Sequence, residues 1–188
     1  MKVRMDAAAF KQLINNAKKF TSVLQPRMQY IYLEFADTQV TATALDGYRV
    51  SVETAKTLGT PKPFNCFIRP NIPKITSHDT YVTLELDDNR LLVTVGDNIT
   101  GYVQPKDTEF YNTKKFATDA KADEPKASVW VDPKLLKEAL ESCGVVGGYK
   151  SAVKLEISSV KSKPIKIWYG QRDAENNLKL VLPVNHTD

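Results

Sequence analysis

A repeated pattern of apolar and polar positions divides the chain into three similar stretches. In each, a helix-like segment precedes a strand in which a Leu-Glu pair stands among alternating apolar and polar residues: Leu33-Glu34, Leu84-Glu85 and Leu155-Glu156. The helix-like segments span 7–20, 69–77 and 133–143. A repeat of this length indicates one folded module used three times, each copy needing a neighbour to cover its apolar face.

The helix predictions rest on spacing and on end signals. The apolar residues of the first helix recur at i, i+3, i+4 and i+7, which is typical of one buried face: Phe10, Leu13, Ile14 and Ala17. Asp6 and Asp132 are predicted to cap the first and third helices. The second helix should be short, because Pro70 and Pro73 lie in its segment and proline is tolerated only in the first turn.

Runs rich in β-branched and aromatic residues predict the strands. They lie at 1–5, 30–36, 39–44, 48–54, 64–68, 81–86, 91–95, 100–104, 127–131, 153–158, 164–169 and 178–184. Asp46-Gly47 is typical of a hairpin turn, since glycine accepts positive φ without steric cost. The polar stretches 87–89 and 96–98 predict two further turns.

These elements predict an α+β fold of repeated β-α-β-β-β modules. The second and third Leu-Glu pairs are further apart than the first two, and the surplus matches 105–126. Much of that interval is Lys, Asp, Ala and Thr without periodicity, which indicates an exposed connector. We therefore expect a domain at 1–108 (modules at about 1–58 and 61–108), a linker at 109–126 and a third module at 127–188.

Composition is that of an ordinary globular protein, with 188 residues, 42% hydrophobic and 26% charged. The net charge of +4 is mild, so a nucleic-acid partner would require the basic groups to gather on one surface. The chain shows neither a signal-peptide pattern nor an apolar run long enough to span a membrane, and a cytoplasmic protein is expected. Cys66 and Cys143 are predicted to be reduced core residues.

The residue pattern does not favour catalysis. His78 and His186 have no Cys, Asp or Glu at metal-ligand spacing. Asp46 fits a turn better than a general base, and Asp87-Asp88 fits a solvated turn. We therefore expect no enzyme activity, no metal and no cofactor.

Three sequence segments resemble segments of one protein family. Residues 42–51 (Ala-Thr-Ala-Leu-Asp-Gly-Tyr-Arg-Val-Ser), the 129–143 stretch, and 180–184 (Leu-Val-Leu-Pro-Val) are similar, in family order, to segments of the bacterial DNA polymerase III β subunit, the sliding clamp. The resemblance implies a DNA-clamp fold, with sheets outside and helices on the inner face of a ring around duplex DNA. It also implies a processivity factor that binds DNA without sequence specificity and tethers a polymerase.

The resemblance implies that lysines on and beside the helices face DNA phosphates: Lys11, Lys18, Lys19, Lys74, Lys134 and Lys137. Such contacts attract DNA through charge and do not read bases. The alternative is that these lysines only solvate helix surfaces. Glu138 and Glu141 on the third helix weaken the positive charge there.

The resemblance also implies a hydrophobic pocket, between two domains, that takes peptide motifs of polymerases or clamp loaders. Its residues by motif are Gly47, Tyr48, Arg49, Val50, Phe110, Tyr111, Leu180, Leu182, Pro183 and Val184. Ordinary strand core is the alternative for them. This chain departs from the family at Leu45, where the family has Thr, and in its polar 185–188 end.

The chain has three modules where the family has six. An unpaired third module would expose sheet edges and an apolar helix face, so we expect a homo-oligomer in which third modules pair. Two functional readings stay open: a ring that encircles DNA, and a peptide-binding adaptor or decoy of clamp fold that does not.

Overall fold

The computed structural model describes residues 1–106, 110–111, 127–141, 143, 153–160, 162–169 and 177–184. The chain divides into two compact units, Met1–Thr118 and Asp119–Asp188, each described here by itself. Apart from Phe110 and Tyr111, the predicted linker lies outside the described residues, and the predicted domain limits stay predictions.

The described part of the first unit contains eight strands. They are β1 (Lys2–Asp6), β2 (Ile31–Ala36), β3 (Gln39–Leu45), β4 (Val50–Lys56), β5 (Phe64–Ile68), β6 (Tyr81–Asp87), β7 (Arg90–Val95) and β8 (Asn98–Val103). They form two antiparallel sheets with the orders β4-β3-β2-β5 and β1-β6-β7-β8. Alternate residues are buried, as with Ile31, Leu33 and Phe35 of β2, because successive side chains of a strand point to opposite faces.

Short turns join neighbouring strands. Asp88 (φ 46°) lies in the turn from β6 to β7, and Gly96 (φ 54°) in the turn from β7 to β8. Positive φ at such positions matches the twist of the flanking strands. The predicted turns at 87–89 and 96–98 are confirmed.

The two halves of the first unit exchange their first strands. β1 pairs with β6, so that Val3 lies opposite Leu84, and β5 pairs with β2, so that Cys66 lies opposite Leu33. Each four-stranded sheet therefore contains three strands of one module and one of the other. The order of strands matches the predicted repeat, but the two modules are joined by strand pairing rather than only by side-chain packing.

The helix predicted at 69–77 is wrong. Among these residues, all of which are described, no helical turn forms. Pro70 and Pro73 lack the N–H of a helical ladder, and proline also disfavours helical geometry at the residue before it. The segment is held instead by long side chains: Tyr102 Oη donates to Asn71 O at 2.8 Å, and Lys11 Nζ donates to Ile75 O at 2.9 Å.

The first predicted helix is confirmed. Helix α1 (Ala7–Ala17) begins where Asp6 Oδ1 accepts a hydrogen bond from Ala9 N at 2.8 Å, and a 3-10 turn (Lys18–Phe20) follows it. The predicted apolar face is buried in the core of the first unit: Phe10, Leu13, Ile14 and Ala17.

The second unit is smaller. Helix α2 (Pro133–Glu141) begins at Asp132, whose Oδ1 accepts a hydrogen bond from Lys134 N at 2.7 Å. Strands β9 (Lys154–Glu156), β10 (Ile165–Tyr169) and β11 (Asn177–Val181) form a sheet of order β11-β10-β9. The buried residues of its core are few: Cys143, Ile165, Ile167 and Val181.

The prediction of a paired strand at 127–131 is wrong. These residues are described but carry no strand pairing to any other described residue. The corresponding strand of the first unit, β1, pairs with the sheet of a second module, whereas the described residues of the second unit form only one module. The amphipathic pattern predicted an extended segment but not a partner for it.

Both cysteines are buried and free, as predicted. No helix in the described ranges is both long enough and apolar enough to cross a bilayer.

Candidate functional site

The exposed side of α1 and its 3-10 extension is positively charged. Lys11 and Lys18 are seven residues apart, about 10 Å along a helix and on nearly the same side of it, and Lys19 follows directly. All three are exposed, and the stretch 7–20 contains no acidic residue. This surface can attract phosphate groups without an acidic neighbour on the same helix.

Lys11 connects this surface to the segment that replaces the second helix. Its Nζ donates to Ile75 O at 2.9 Å, and Ile75 directly follows Lys74, which is also exposed. Lys11, Lys18, Lys19 and Lys74 therefore belong to one unit and to adjoining elements of it.

The predicted lysines of α2 differ. Lys134 and Lys137 are exposed, but Glu138 and Glu141 lie on the same helix, and Lys137 Nζ is 3.5 Å from Glu141 Oε1. The helix carries equal numbers of basic and acidic side chains, so its surface attracts phosphate less than that of α1.

A four-residue turn joins β3 to β4. Asp46 Oδ1 accepts hydrogen bonds from Tyr48 N at 3.0 Å and Arg49 N at 2.8 Å, and Asp46 N donates to Arg49 O at 3.2 Å. Gly47 has φ of 92°, a value that favours glycine. The predicted hairpin is confirmed, and Asp46 serves it as a turn former.

Arg49 is held on three sides. Its guanidinium donates to Asp46 Oδ2 from Nε at 2.9 Å and from Nη2 at 2.6 Å, and Nη2 also donates to Lys19 O at 3.1 Å. The guanidinium carbon lies 4.9 Å from the centre of the Phe20 ring. Hydrogen bonds from Arg49, and then from Tyr48 N, lower the pKa of Asp46. The turn is therefore preorganised, and its arginine is tied to the end of the lysine-bearing helix.

Sequence reasoning missed the segment 21–29, which lies beside this turn. Met28 is buried, and its Cε is 3.6 Å from where a Cβ on Gly47 would stand. Ser22 N donates to Met28 O at 2.9 Å, which closes a loop whose tip exposes Val23 and Leu24. The segment lacks the periodicity of a helix or strand. Its only sequence signal for a surface role was the adjacent apolar pair Val23 and Leu24.

Phe110 and Tyr111 lie on an aromatic cluster of the first unit. Phe110 stacks on Tyr32 at 5.0 Å between ring centres and meets Phe67 edge-on at 5.9 Å. Tyr111 Oη donates to Gln25 Oε1 at 2.6 Å. Gln25 precedes the 3-10 turn Pro26–Gln29 that carries Met28, so this segment links the aromatic cluster to the turn around Gly47.

Tyr48 and Val50 are both exposed, at 82% and 47%. In the described first unit, Gly47 and Tyr111 lie beside the 21–29 segment, through Met28 and Gln25, and Tyr48, Arg49 and Val50 follow Gly47 in the chain. The exposed apolar side chains there have no role in the core of that unit.

The remaining predicted pocket residues follow one another in the second unit. Leu180 lies on β11, and Leu182, Pro183 and Val184 come directly after it. Leu180 and Leu182 are 56% and 66% exposed. Val184 N donates to Trp130 O at 2.9 Å, which fixes the course of the chain after β11.

Comparison with known proteins defines the fold. No protein-family model matches the sequence, and no curated protein matches it. Similar crystal structures include the DNA polymerase III beta subunit of Thermotoga maritima (TM-score 0.75, 16% identity), the DNA polymerase sliding clamp of Bacillus subtilis (0.75, 15%) and the DNA polymerase III beta chain of Streptococcus pneumoniae (0.74, 13%).

These alignments cover 97%, 97% and 98% of this chain, but 50%, 49% and 50% of the respective clamp chains. The chain has the α+β fold of DNA clamps. More particularly, it is similar to bacterial DNA polymerase III beta subunits, and it spans about half the length of the structures it matches. The resemblance predicted from the sequence motifs is confirmed at the level of the fold.

Proposed function

We propose that the protein is a sliding-clamp-like processivity factor without a catalytic site of its own. It associates with duplex DNA irrespective of sequence and tethers a polymerase or a clamp loader through a peptide. The observation that carries the proposal is the clamp fold over 97% of the chain. It would act in the cytoplasm as a homo-oligomer, without metal or cofactor.

The lysine surface of the first unit supports the DNA-binding part. Phosphate contacts by lysine release counterions from DNA and give affinity that falls steeply with salt but ignores base sequence. Lys18 and Lys19 are exposed and lie where no acidic side chain of the helix competes. We assign most of the DNA affinity to Lys11, Lys18, Lys19 and Lys74, and a smaller share to Lys134 and Lys137.

The two apolar surfaces support the tethering part. An extended peptide gains most of its affinity from a few anchors buried in apolar surroundings. The turn around Gly47 offers Val50 and the fixed guanidinium of Arg49, and the end of β11 offers Leu180 and Leu182. We propose that each of these surfaces provides anchor sites for such peptides.

The DNA proposal is tested with closed circular DNA. A ring should stay on a closed circle through gel filtration and be lost when a restriction enzyme linearises the DNA. The double variant Lys18→Glu, Lys19→Glu should reduce retention at least ten-fold. Lys56→Glu, Lys62→Glu makes the same charge change at two exposed positions outside the helices and should keep it. Retention that does not depend on closure, or equal loss in both variants, would contradict encirclement and favour the adaptor.

The peptide proposal is tested by fluorescence anisotropy with a labelled extended peptide carrying Leu and Phe anchors. Leu182→Asp should weaken binding at least ten-fold, because a carboxylate would face the apolar anchors. Val160→Asp is the control, since Val160 is also exposed (49%) but lies in the turn between β9 and β10. Binding unchanged by Leu182→Asp would remove the β11 end from the peptide site.

A further inference from the structure

A short loop of the first unit has two adjacent, highly exposed apolar side chains at its tip. The loop joins the 3-10 turn that follows α1 to the 3-10 turn Pro26–Gln29. Val23 is 86% exposed, more than any other large apolar side chain of the described residues, and Leu24 is 77% exposed. Single exposed apolar residues are common on protein surfaces and need no explanation. Two neighbours at one loop tip, here called the apolar tip, form a small surface of their own.

Hydrogen bonds close the loop below the apolar tip. Ser22 N donates to Met28 O at 2.9 Å, and Met28 is buried. Within the loop, Leu24 N donates to Ser22 Oγ at 3.2 Å, and Met28 N donates to Gln25 O at 3.1 Å. Pro26 follows, and its ring restricts its own backbone torsion. The backbone on both sides of the apolar tip is therefore fixed by the protein itself.

Side chains from other parts of the first unit hold the same loop. Tyr111 Oη donates to Gln25 Oε1 at 2.6 Å, and Arg69 Nη1 donates to Gln29 Oε1 at 3.1 Å. Because these donors are distant in the chain, their bonds tie the loop to the body of the unit. A loop ordered in advance loses little conformational entropy when it binds, so its contacts give more affinity.

The sequence around the apolar tip is basic. No acidic residue occurs between Asp6 and Glu34. The basic residues of this stretch are Lys11, Lys18, Lys19 and Arg27. Thr21 N and Thr21 Oγ1 both donate to Lys18 O, at 3.3 Å and 2.9 Å, so the loop begins directly at the lysines. Leu24 is three residues further on, at most about 11 Å of extended chain.

An apolar tip beside cationic side chains fits duplex DNA better than it fits a polypeptide. Proteins that deform DNA insert a leucine or a similar side chain between two base pairs from the minor groove. Basic residues beside such a wedge hold the phosphates and fix its position. Two apolar residues are enough for one base step, whereas a protein interface needs a wider patch around its anchors.

We propose that Leu24 is a wedge that enters a base step of duplex DNA from the minor groove, with Val23 against the adjoining sugar. Lys18 and Lys19 contact the phosphates beside it. The wedge rests on the proposed association with DNA and adds an apolar component to the salt-dependent one. It reads no base edge, but it enters flexible pyrimidine–purine steps most readily because these unstack most easily.

The wild-type protein and a fluorescent base provide the first test. The base 2-aminopurine fluoresces weakly when stacked in a duplex and strongly when unstacked. Once anisotropy of a terminal dye shows saturation, 2-aminopurine in a TA step should brighten about two-fold or more, and in an A-tract much less. No rise, or equal rises in the two duplexes, would overturn the wedge. A duplex that does not bind at all would overturn the proposed DNA association with it.

Substitution of the apolar tip is the second test. Val23→Ser, Leu24→Ser should remove the fluorescence rise and raise the dissociation constant roughly ten-fold at every salt concentration, because apolar burial is lost. The matched control, Ile99→Ser, Val103→Ser, removes two exposed side chains (67% and 58%) from β8 and should change neither quantity. Equal losses in the two double variants would overturn the wedge.

Salt dependence separates the apolar tip from the lysines. Val23→Ser, Leu24→Ser should keep the wild-type slope of log affinity against log salt, since no phosphate contact is lost. Lys18→Glu, Lys19→Glu should make that slope shallower, because fewer counterions are released. Unchanged DNA affinity in the serine variant would overturn the wedge and leave DNA association standing. If that variant instead weakened binding of the labelled peptide, the apolar tip would belong to a polypeptide site.

Discussion

The side-chain amide of Gln104 pairs with the backbone of Phe67 in both directions. Phe67 N donates to Gln104 Oε1 at 2.7 Å, and Gln104 Nε2 donates to Phe67 O at 3.0 Å. Phe67 lies on β5, at the edge of the first sheet, whereas Gln104 follows β8 of the second. The amide thus acts as one further step of strand pairing and joins the two sheets.

Replacing this amide should destabilise the first unit. Gln104→Leu leaves the N–H and C=O of Phe67 without these partners, and we expect the free energy of unfolding to fall by about 1 to 3 kcal/mol. Urea denaturation followed by tyrosine fluorescence measures it. Gln12→Leu, on the exposed side of α1, is the control and should change stability by less than about 0.5 kcal/mol. Similar losses in both variants would mean that the pair contributes nothing particular.

Asp46 should make the stability of the β3–β4 turn depend on acid pH. Its pKa is lowered chiefly by the hydrogen bonds from Arg49. A group whose folded pKa is lowered contributes stability above its unfolded pKa, about 3.9, and loses it as the pH falls through the folded value. The stability difference between wild type and Asp46→Asn should therefore be larger at about pH 7 than at about pH 3.

The matching control for Asp46 removes its main partner. In an Arg49→Gln background, Asp46→Asn should change the pH dependence much less, because the principal cause of the shift is already gone. Urea unfolding of the four proteins of this cycle at both pH values gives the answer. A pH dependence that is the same with and without Arg49 would contradict the assignment.

Gly47 and Gly59 should suffer the same penalty when alanine replaces them. Both have strongly positive φ, 92° and 97°, where a Cβ costs about 1 to 2 kcal/mol. A Cβ at Gly47 would make only an ordinary contact with Met28, and one at Gly59 would have nothing within 4 Å. Denaturation midpoints of the two alanine variants should agree closely. A clearly larger loss of stability at Gly47 would show that the turn packs too tightly on Met28 to accept a Cβ.

Cys66 should be unreactive while the protein is folded. Burial raises the pKa of its thiol to about 12, so the native side chain stays neutral and inaccessible. The neutral thiol's contribution to the free energy of unfolding is fully present below the unfolded thiol pKa of about 8.5. It is lost as the pH rises towards about 12. In a Cys143→Ser background at about pH 8, an aromatic disulfide reagent should label Cys66 roughly a hundred-fold more slowly than in urea. Rapid labelling without denaturant would contradict this burial.

Periodicity predicted most of the first unit, because it reports which side of an element is buried. The stripe from Phe10 to Ala17 and the alternation in β2 both describe a core face, and both are observed. At 69–77, the apolar spacing favoured a helix. Pro70 and Pro73 lack the backbone N–H donors that a helix requires, and no helix forms there. Strand exchange was not predictable, because periodicity gives the buried face of a strand but not the strand beside it.

The same difference between local and long-range contacts applies to the candidate site. The Asp46-Gly47 turn was predictable, since its chemistry is local to four residues. The arrangement around it was not: Arg49 is held by Lys19 and Phe20, and Met28 lies under Gly47, contacts between residues far apart in the chain. The charge balance of α2 was visible from Glu138 and Glu141, whereas the hydrogen bond of Lys11 to Ile75 was not.

The pairing of β1 with β6 also affects how the chain folds while it is being synthesised on the ribosome. Lys2 finds its place opposite Glu85, so the opening strand emerges long before its partner has been translated. Contacts between such distant residues slow folding. A nascent chain that ends before β6 has no edge to receive its first strand, and the opening module reaches its native form only after most of the second has been synthesised.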